Sequence, residues 1–247
     1  MDRALYIGMS GAKQVMRAQA VNSNNLANVN TVGFKKDFNH FVDVQVKGDG
    51  YTSRAYAVSS GSGSDYSEGQ LISTGRNLDL SVQGKGYITV QGSDGGEAFS
   101  RSGNLKITQN GLLVNGEGRM VIGNDGGPIA IPPSDKIEIA EDGTISIVPS
   151  GQDVNNMAVI DRVKLVNPDT DKIKKGEDGL FHLDGNVISN PDSSVKLISG
   201  FLESSNVNSV NEMVNMISNA RLFEAQIKVM SAVKDNDTAS AKLLKLT

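Results

Sequence analysis

The chain has 247 residues, a formal net charge of −4 and no cysteine. This composition excludes disulfides and thiolate catalysis, and the lack of a basic excess argues against nucleic acid as a partner. No apolar run reaches the roughly 18 residues of a membrane-spanning helix, so no membrane span is predicted.

The first predicted element is a helix from about Arg3 to Asn28. One face carries apolar residues at spacings of three and four, which is the period of an α-helix: Leu5, Met9, Ala12 and Met16. A strip of smaller residues lies beside it, and Gly8 and Gly11 there permit close approach of a neighbouring element. The asparagine-rich end of this segment is typical of a helix terminus, because asparagine tolerates the left-handed conformation.

The middle of the chain predicts short antiparallel strands. Apolar and polar residues alternate from Leu78 to Val82, and again on both sides of Asp142-Gly143. Asn110-Gly111 and Asn115-Gly116 are dipeptides typical of tight hairpin turns. Glycine, at 27 residues, is more frequent than its average of about 7%. The glycine/serine-rich stretch between Gly48 and Gly69, which includes the run at 60–64, predicts a mobile or extended loop.

The last predicted element is a helix from Ser209 to about Leu246. Ser209 and Glu212 have the spacing of a capping box at its start. Its apolar stripe steps by three and four residues, as in a coiled coil: Met213, Ile217, Ala220, Phe223, Ile227 and Met230.

These elements predict an α+β fold, in which a mainly antiparallel β domain lies between terminal helices that pair as a coiled-coil-like layer. We divide the chain into an N-terminal helical segment (1–31), an extended or β connecting region with the glycine/serine-rich loop (32–73), a β-rich central domain (74–199) and a C-terminal segment with the second helix (200–247).

The two helical stripes predict assembly, because a lone amphipathic helix is marginal in water and needs a partner for its apolar face. Two paired helices would still leave apolar faces that suit neighbouring subunits. The pattern alone leaves open a second interpretation, in which both helices pack on the β domain of a monomer.

Residues 22–35, which read NSNNLANVNTVGFK, resemble the N-terminal signature of the flagellar rod, hook and axial protein family. That signature usually reads ANNLANxxTxGFK, and this chain has Ser23 and Val32 where alanine and proline are common. The matching signature residues are Asn24, Asn25, Leu26, Ala27, Asn28, Gly33 and Phe34.

Three further blocks resemble the same family in the same order. They are TGRNLDL at 74–80 with GKGYITV at 84–90, FSRSGNL at 99–105 with NGLLV at 110–114, and GFLESSNVN at 200–208. Within the family, the length and the start of the chain are closest to the proximal rod type, with the distal rod type as the alternative.

The resemblance implies a structural subunit of the flagellar basal-body rod, which assembles helically and transmits torque from motor to hook. It implies export by the flagellar type III apparatus without a cleaved signal, a periplasmic location, and partners that are other copies and neighbouring rod proteins. It implies no enzyme activity, cofactor, metal or small-molecule substrate. Such family members often have disordered terminal helices before assembly.

The residues themselves also argue against catalysis. The two histidines, His40 and His182, stand far apart with no accompanying constellation of acid, base or metal-ligand residues. A competing hypothesis is a soluble β-rich binding or adaptor module. It would use exposed aromatic residues, of which only Tyr51, Tyr56 and Tyr66 cluster in the sequence.

Overall fold

The computed structural model describes residues 2–45, 55–151, 157–183 and 189–244. Two long helices, α1 (Asp2–Ala27) and α2 (Ser209–Leu244), stand at the ends of the described chain. The first eight strands are β1 (Asp37–Gln45), β2 (Ala55–Ser64), β3 (Leu71–Ser73), β4 (Leu80–Gln83), β5 (Tyr87–Gln91), β6 (Glu97–Ser100), β7 (Lys106–Ile107) and β8 (Leu113–Val114). The others are β9 (Ser134–Ile139), β10 (Thr144–Pro149), β11 (Ala158–Arg162), β12 (Leu165–Val166), β13 (Ile173–Lys175), β14 (Phe181–Leu183), β15 (Lys196–Ser199) and β16 (Phe201–Glu203).

The pairs between these strands are antiparallel, so the predicted α+β class is confirmed. The largest sheet has the order β12-β5-β6-β14-β13, and a three-stranded sheet has the order β11-β10-β9. A 3-10 helix, Thr170–Lys172, precedes β13. No helix among the described residues is long and apolar enough to cross a membrane.

The chain divides into two compact units. The helix unit comprises Met1–Val29, Lys36–Asp65 and Val207–Thr247, and the sheet unit comprises Asn30–Lys35 and Tyr66–Asn206. The four segments predicted from the sequence follow chain order, whereas each of these units gathers parts that are distant along the chain.

In the helix unit, α1 and α2 pack together in antiparallel directions. A Cβ atom added at Gly8 would lie 2.8 Å from Cγ of Met230, and one added at Gly11 would lie 3.2 Å from Cδ of Gln226. Later residues of α1 therefore face earlier residues of α2. The absence of side chains at the two glycines provides the space that α2 occupies.

The helix unit also contains the β1–β2 hairpin, which corrects one prediction. Residues 48–54 of the glycine/serine-rich stretch lie outside the described residues, whereas residues 55–64 form β2 and pair with β1, so this part is not a loop. Its composition has a packing reason: a Cβ atom at Gly63 would lie 2.8 Å from Cζ of Phe38, and the Ser64 hydroxyl donates to Asp37 Oδ1 at 2.8 Å. Small residues make room for the Phe38 ring on the paired strand.

The sheet unit is built around a core of aliphatic side chains, as expected for a chain with no tryptophan. Leu80, Ile88, Leu105, Ile145 and Ile147 are fully buried in it. The predicted alternation is confirmed in β10, where Ile145 and Ile147 are buried between half-buried Thr144 and Ser146. It is wrong in β4, where Leu80, Ser81 and Val82 are all buried because the strand is covered on both faces. The predicted turns are confirmed as well: those at 110–111 and 142–143 join the paired strands β7–β8 and β9–β10, and that at 115–116 lies between bridged residues.

Candidate functional site

The seam between α1 and α2 does not follow the apolar stripe expected from the sequence. On α2, the half-buried residues step by three and four along a neighbouring face: Met216, Asn219, Phe223, Gln226, Met230 and Val233. Phe223 and Met230 belong to both stripes, and Ala12 of α1 is buried while Leu5 is half-buried.

The other predicted residues are exposed, which corrects their expected place in the seam. Met9, Met16, Met213, Ile217 and Ile227 are 44–61% exposed, and Ala220 is also exposed. The physical reason lies in α1: the glycine-containing side is narrow enough to receive α2, whereas the long methionine side chains would hold the two helices apart.

A groove runs beside this seam. It has a volume of about 310 Å³ and a mainly apolar lining. Three residues of each helix line it: Val15, Met16 and Gln19 from α1, and Asn219, Ala220 and Phe223 from α2. Met16 and Ala220 therefore lie on the same side of the helix pair.

Helical periodicity places the other exposed residues on that same side. In α1, Met9 stands two turns before Met16. In α2, Met213 and Ile227 each stand two turns from Ala220, and Ile217 stands one turn from Ala220. We call this surface the groove face. It consists of the groove and the exposed residues Met9, Met16, Met213, Ile217, Ala220 and Ile227.

Helix α2 carries a second exposed apolar flank. Leu222 and Val229 lie two turns apart at 52% and 53% exposed, and Val214 is 55% exposed. A helix that is apolar on several sides is typical of one that is buried on several sides. The helix pair alone buries only one side of α2, so the remaining flanks are suited to further protein.

The asparagine-rich segment at the end of α1 is fixed by one of its members. Asn25 is fully buried, its Oδ1 accepts a hydrogen bond from the Asp37 backbone N–H at 2.9 Å, and its Nδ2 donates to the Asp37 carbonyl at 2.8 Å. Asn24 and Ala27 are exposed, and Leu26 is half-buried. Asn25 thus holds the first residue of β1 against α1.

Gly33 and Phe34 lie in the sheet unit. Gly33 has a φ of +69°, and a side chain there would overlap the backbone of Arg101. Its N–H donates to the Glu203 carbonyl at 2.8 Å. The ammonium of Lys175 stands 3.7 Å from the centroid of the Phe34 ring, a cation–π contact.

The next residue, Lys35, belongs to a buried ionic cluster that sequence reasoning missed. Lys35, Glu203 and Arg101 are only 1%, 1% and 4% exposed. Glu203 Oε1 accepts from Lys35 Nζ at 2.6 Å, and Oε2 accepts from Arg101 Nη1 at 2.9 Å. The backbone N–H of Gly69 donates to Oε1 at 2.9 Å. We refer to Lys35, Glu203 and Arg101 as the ionic cluster.

The cations of the cluster have further partners. Lys35 Nζ donates to the Ser67 carbonyl at 2.6 Å, and Arg101 Nη2 donates to the Gly84 carbonyl at 2.5 Å. Burial pushes the pKa of Glu203 upwards, but Arg101, Lys35 and the Gly69 N–H outweigh it, so the pKa lies below its ordinary value. Burial lowers the pKa of Lys35, and the bond to Glu203 offsets only part of that effect.

A second buried glutamate corrects the predicted capping box. Helix α2 is capped by Asn208, whose Oδ1 accepts from the Asn211 N–H at 3.1 Å. Glu212 is fully buried in the helix unit, and its Oε1 lies 2.5 Å from Nζ of Lys36. Because Glu212 pairs with Lys36, it does not act as the capping partner of Ser209.

The signal for these ion pairs was present in the motifs. Lys35 ends the first signature directly after Val32-Gly33-Phe34, and Arg101 in the third block and Glu203 in the last have apolar or small neighbours. A charged residue in such surroundings needs a partner when buried. The pattern does not say which distant residue that partner is.

The two histidines lie in different units of the chain. His40 is exposed in β1, while His182 in β14 lies 3.1 Å from Asp178. Of the three tyrosines in the binding-module hypothesis, Tyr51 lies outside the described residues. Tyr66 packs on Phe181 with ring centroids 5.8 Å apart, and Tyr56 lies half-buried in β2 of the other unit.

Comparison with known proteins assigns these segments to one group. Three family models match: "Flagella basal body rod protein" over residues 5–35, "Flagellar hook protein FlgE/F/G D1 domain" over 81–147, and "Flagellar basal body rod FlgEFG protein C-terminal" over 198–243. The first covers α1 through Lys35, and the last covers Glu203 and nearly all of α2.

Individual relatives match over nearly their whole length. The chain is 39% identical to the flagellar basal-body rod protein FlgF of Salmonella typhimurium and 38% identical to that of Escherichia coli, with 100% of both chains covered in each case. It is 35% identical to the flagellar basal-body rod protein FlgG of Bacillus subtilis, over 94% of this chain and 95% of that protein.

Proposed function

The chain belongs to the flagellar basal-body rod protein family, and we propose that it serves as a proximal rod subunit that joins copies of itself and neighbouring rod proteins in a helical, torque-transmitting rod. The chain is a structural protein and not an enzyme, as its relatives are rod proteins. FlgF is the proximal rod type and FlgG the distal type in the family that the sequence resembles. The two FlgF relatives described above match the full chain at higher identity than the FlgG relative, which favours the proximal type.

The groove face is the observation that carries the proposal. Its six exposed residues and the second flank of α2 leave large apolar side chains in water, which is costly at about 1.5–3 kcal/mol for each large side chain. Contiguous apolar surface of this kind marks protein–protein interaction sites. We assign to this face the contacts that hold the chain in the rod, together with the seam residues Leu5, Ala12, Phe223 and Met230.

We assign to the signature residues Asn24, Asn25, Leu26, Ala27, Asn28, Gly33 and Phe34 the role of fixing the chain after α1. Two observations support this role: the paired hydrogen bonds between Asn25 and Asp37, and the positive φ of Gly33. We also propose that the chain is exported through the flagellar type III apparatus and lies in the periplasmic part of the basal body.

Deletion of residues 210–247 tests the assembly function. The sheet unit contains none of these residues, so we expect the truncated chain to keep its β-sheet circular dichroism. It should be absent from isolated basal bodies, and the cells should not swim. A truncated chain that still enters the rod and supports swimming contradicts the proposal.

The distal rod type is the alternative, because the FlgG relative covers the same length at 35% identity. Electron cryotomography of cells that lack this chain separates the two. A rod that stops close to the inner membrane fits the proximal assignment, whereas a rod that extends further before it stops fits the distal one.

A further inference from the structure

Strand β11 presents an apolar edge to solvent. Met157, which directly precedes the strand, is 44% exposed, and Ala158, Val159 and Ile160 within the strand are also exposed, with Val159 at 68%. In an ordinary half-buried strand, alternate side chains would be covered. Here neither face covers these residues, and within the described part of the chain β11 pairs only with β10.

The other edge of the same sheet is protected. Strand β9 carries Lys136 and Glu138, which form an ion pair at 2.5 Å, and the Ile137 carbonyl accepts a hydrogen bond from Asn77 Nδ2 at 3.2 Å. Charged side chains and capped backbone groups are the usual ways to prevent a strand from adding to an edge. The contrast shows that the apolar edge at β11 is particular to that side of the sheet.

A second apolar edge lies on β1 in the helix unit. Residues 41–45 are all exposed, with Phe41 and Val42 at 40% and Val44 at 47%. Among the residues that the structure describes, the sheet of β1 has β2 as its one other strand, and a two-stranded hairpin is marginal by itself. A third strand would stabilise it.

The free backbone groups of β1 can be located. The Ala57 carbonyl of β2 accepts from Gln14 Nε2 at 3.2 Å, so Ala57 points away from β1. Ala57 pairs with Asp43, and paired residues in an antiparallel ladder direct their backbone groups alike, both inward or both outward. The N–H and C=O of Asp43 therefore point outward at the opposite edge, beside Val42 and Val44.

We propose that the β11 edge of one copy of this chain adds to the β1 edge of a second copy, so that the two sheets become continuous across the subunit boundary. The inference rests on the proposed rod function and names a contact within it that is separate from the groove face. Backbone hydrogen bonds would supply the ladder, and Val159 and Ile160 would pack beside Phe41 and Val42. The apolar part of β11, Ala158 to Ile160, is uncharged. The charged residues along the two edges are Asp43 within residues 41–45 of β1, and Asp161 and Arg162 at the far end of β11.

This contact uses a different strand on each copy. Heterologous contacts of that kind do not close after two copies, and they build rings or, where the rotation between copies does not close, helical assemblies such as the proposed rod. Pairing of β11 with β11 would instead be self-complementary and would stop at a dimer. The strand β3 is a poorer partner because it has three residues, and very short edges resist addition.

The contact can be tested by cross-linking, because the natural chain has no cysteine to interfere. Val159→Cys and Val42→Cys are combined in one chain, expressed in cells that lack the natural copy, and treated with a short bismaleimide that tolerates a slip of one or two residues. We expect a ladder of covalent multimers in isolated basal bodies. The control combines Lys136→Cys with Val42→Cys, and it should give monomers.

Chains that carry only one of the two cysteines identify the strand with which β11 pairs. Co-expressed Val159→Cys and Val42→Cys chains should give a dimer and nothing longer. A dimer from Val159→Cys alone indicates pairing of β11 with itself and overturns the proposal. A double variant that yields only internally linked monomer overturns it too, because the contact would then lie within one chain.

A substitution that places a charge on the β11 edge tests the contact independently of cross-linking. Val159→Lys should lower the amount of chain in basal bodies several-fold, and Lys136→Ala should leave it unchanged. Normal incorporation of Val159→Lys overturns the edge contact while the rod function stands. If the natural chain itself is absent from basal bodies, the proposed function fails as well.

Discussion

The carboxylate of Glu203 accepts a hydrogen bond from the ammonium of Lys35 at 2.6 Å across 168 positions of sequence, and both side chains are 1% exposed. The bond joins the segment that follows α1 to the segment that precedes α2, within the sheet unit. Arg101 completes the cluster from a third part of the chain.

Glu203→Ala should strongly destabilise the sheet unit. The substitution leaves the two cations Lys35 and Arg101 buried without their anion, and removal of one partner of a buried ion pair costs about 3–5 kcal/mol. Urea unfolding followed by β-sheet circular dichroism measures the loss. Glu138→Ala is the matched control, because its pair with Lys136 is about half exposed and should contribute at most about 1 kcal/mol. Equal losses in the two variants would contradict the role of the cluster.

The same carboxylate makes stability depend on pH in the acid range. The folded-state pKa of Glu203 lies below its ordinary value of 4.5, so the folded state keeps the carboxylate ionised where the unfolded chain binds a proton. This contribution to the free energy of unfolding is complete above pH 4.5 and is lost as the pH falls through the folded-state pKa. The difference in that free energy between the natural chain and Glu203→Gln should therefore shrink below about pH 4.5. A difference that stays constant from pH 7 to pH 3 would show that Glu203 is not ionised in the folded state.

Gly33→Ala should cost more stability than Gly75→Ala. Both glycines have positive φ, at +69° and +67°, and both lie in the sheet unit. A side chain on Gly75 would meet nothing within 4 Å, so that variant loses only the conformational term of about 1–2 kcal/mol. A side chain on Gly33 would also overlap the Arg101 backbone. Urea midpoints of the two variants should differ clearly, and equal midpoints would mean that the backbone shifts to relieve the overlap.

Ile217→Asp should block assembly without harm to the fold. Ile217 is 56% exposed on the groove face, and surface substitutions usually change stability by less than about 0.5 kcal/mol. A carboxylate buried against a neighbouring subunit would lack a partner, so we expect loss of swimming and at least a tenfold drop of the chain in basal bodies. Asn236→Asp, an exposed site on the same helix outside the groove face, should swim normally. Normal swimming by Ile217→Asp would remove the groove face from the rod contacts.

Local patterns predicted the elements well and their partners less well. The periodicity of apolar residues and the turn residues correctly predicted both helices and the strands around Asp142-Gly143, because these elements depend on residues that are neighbours in sequence. The prediction of which face of α2 lies in the seam was wrong for a physical reason. Apolar residues of α2, from Met213 to Leu222, lie all round the helix, so hydrophobicity alone does not select a side. The selection depends on space, which Gly8 and Gly11 provide on α1.

Long-range ionic contacts were beyond a local pattern altogether. Lys35 was visible as the last residue of a signature, and Glu203 as part of another, but the bond between them depends on the folded sheet unit. Likewise, small residues at 60–64 predict flexibility by composition, whereas the ring of Phe38 on the paired strand requires them to be small.

The composition of the seam links helix order to subunit concentration. Asn219 and Gln226 occupy positions where a self-sufficient helix pair would have leucine, while methionine and isoleucine face outward. The contact between the two helices is therefore weak on its own, and the larger apolar side chains lie on the groove face, which we propose contacts neighbouring subunits. By mass action, each copy that docks stabilises the ordered helices of the copy before it. We therefore expect the termini of the dilute chain to unfold far below the temperature at which the polymer does.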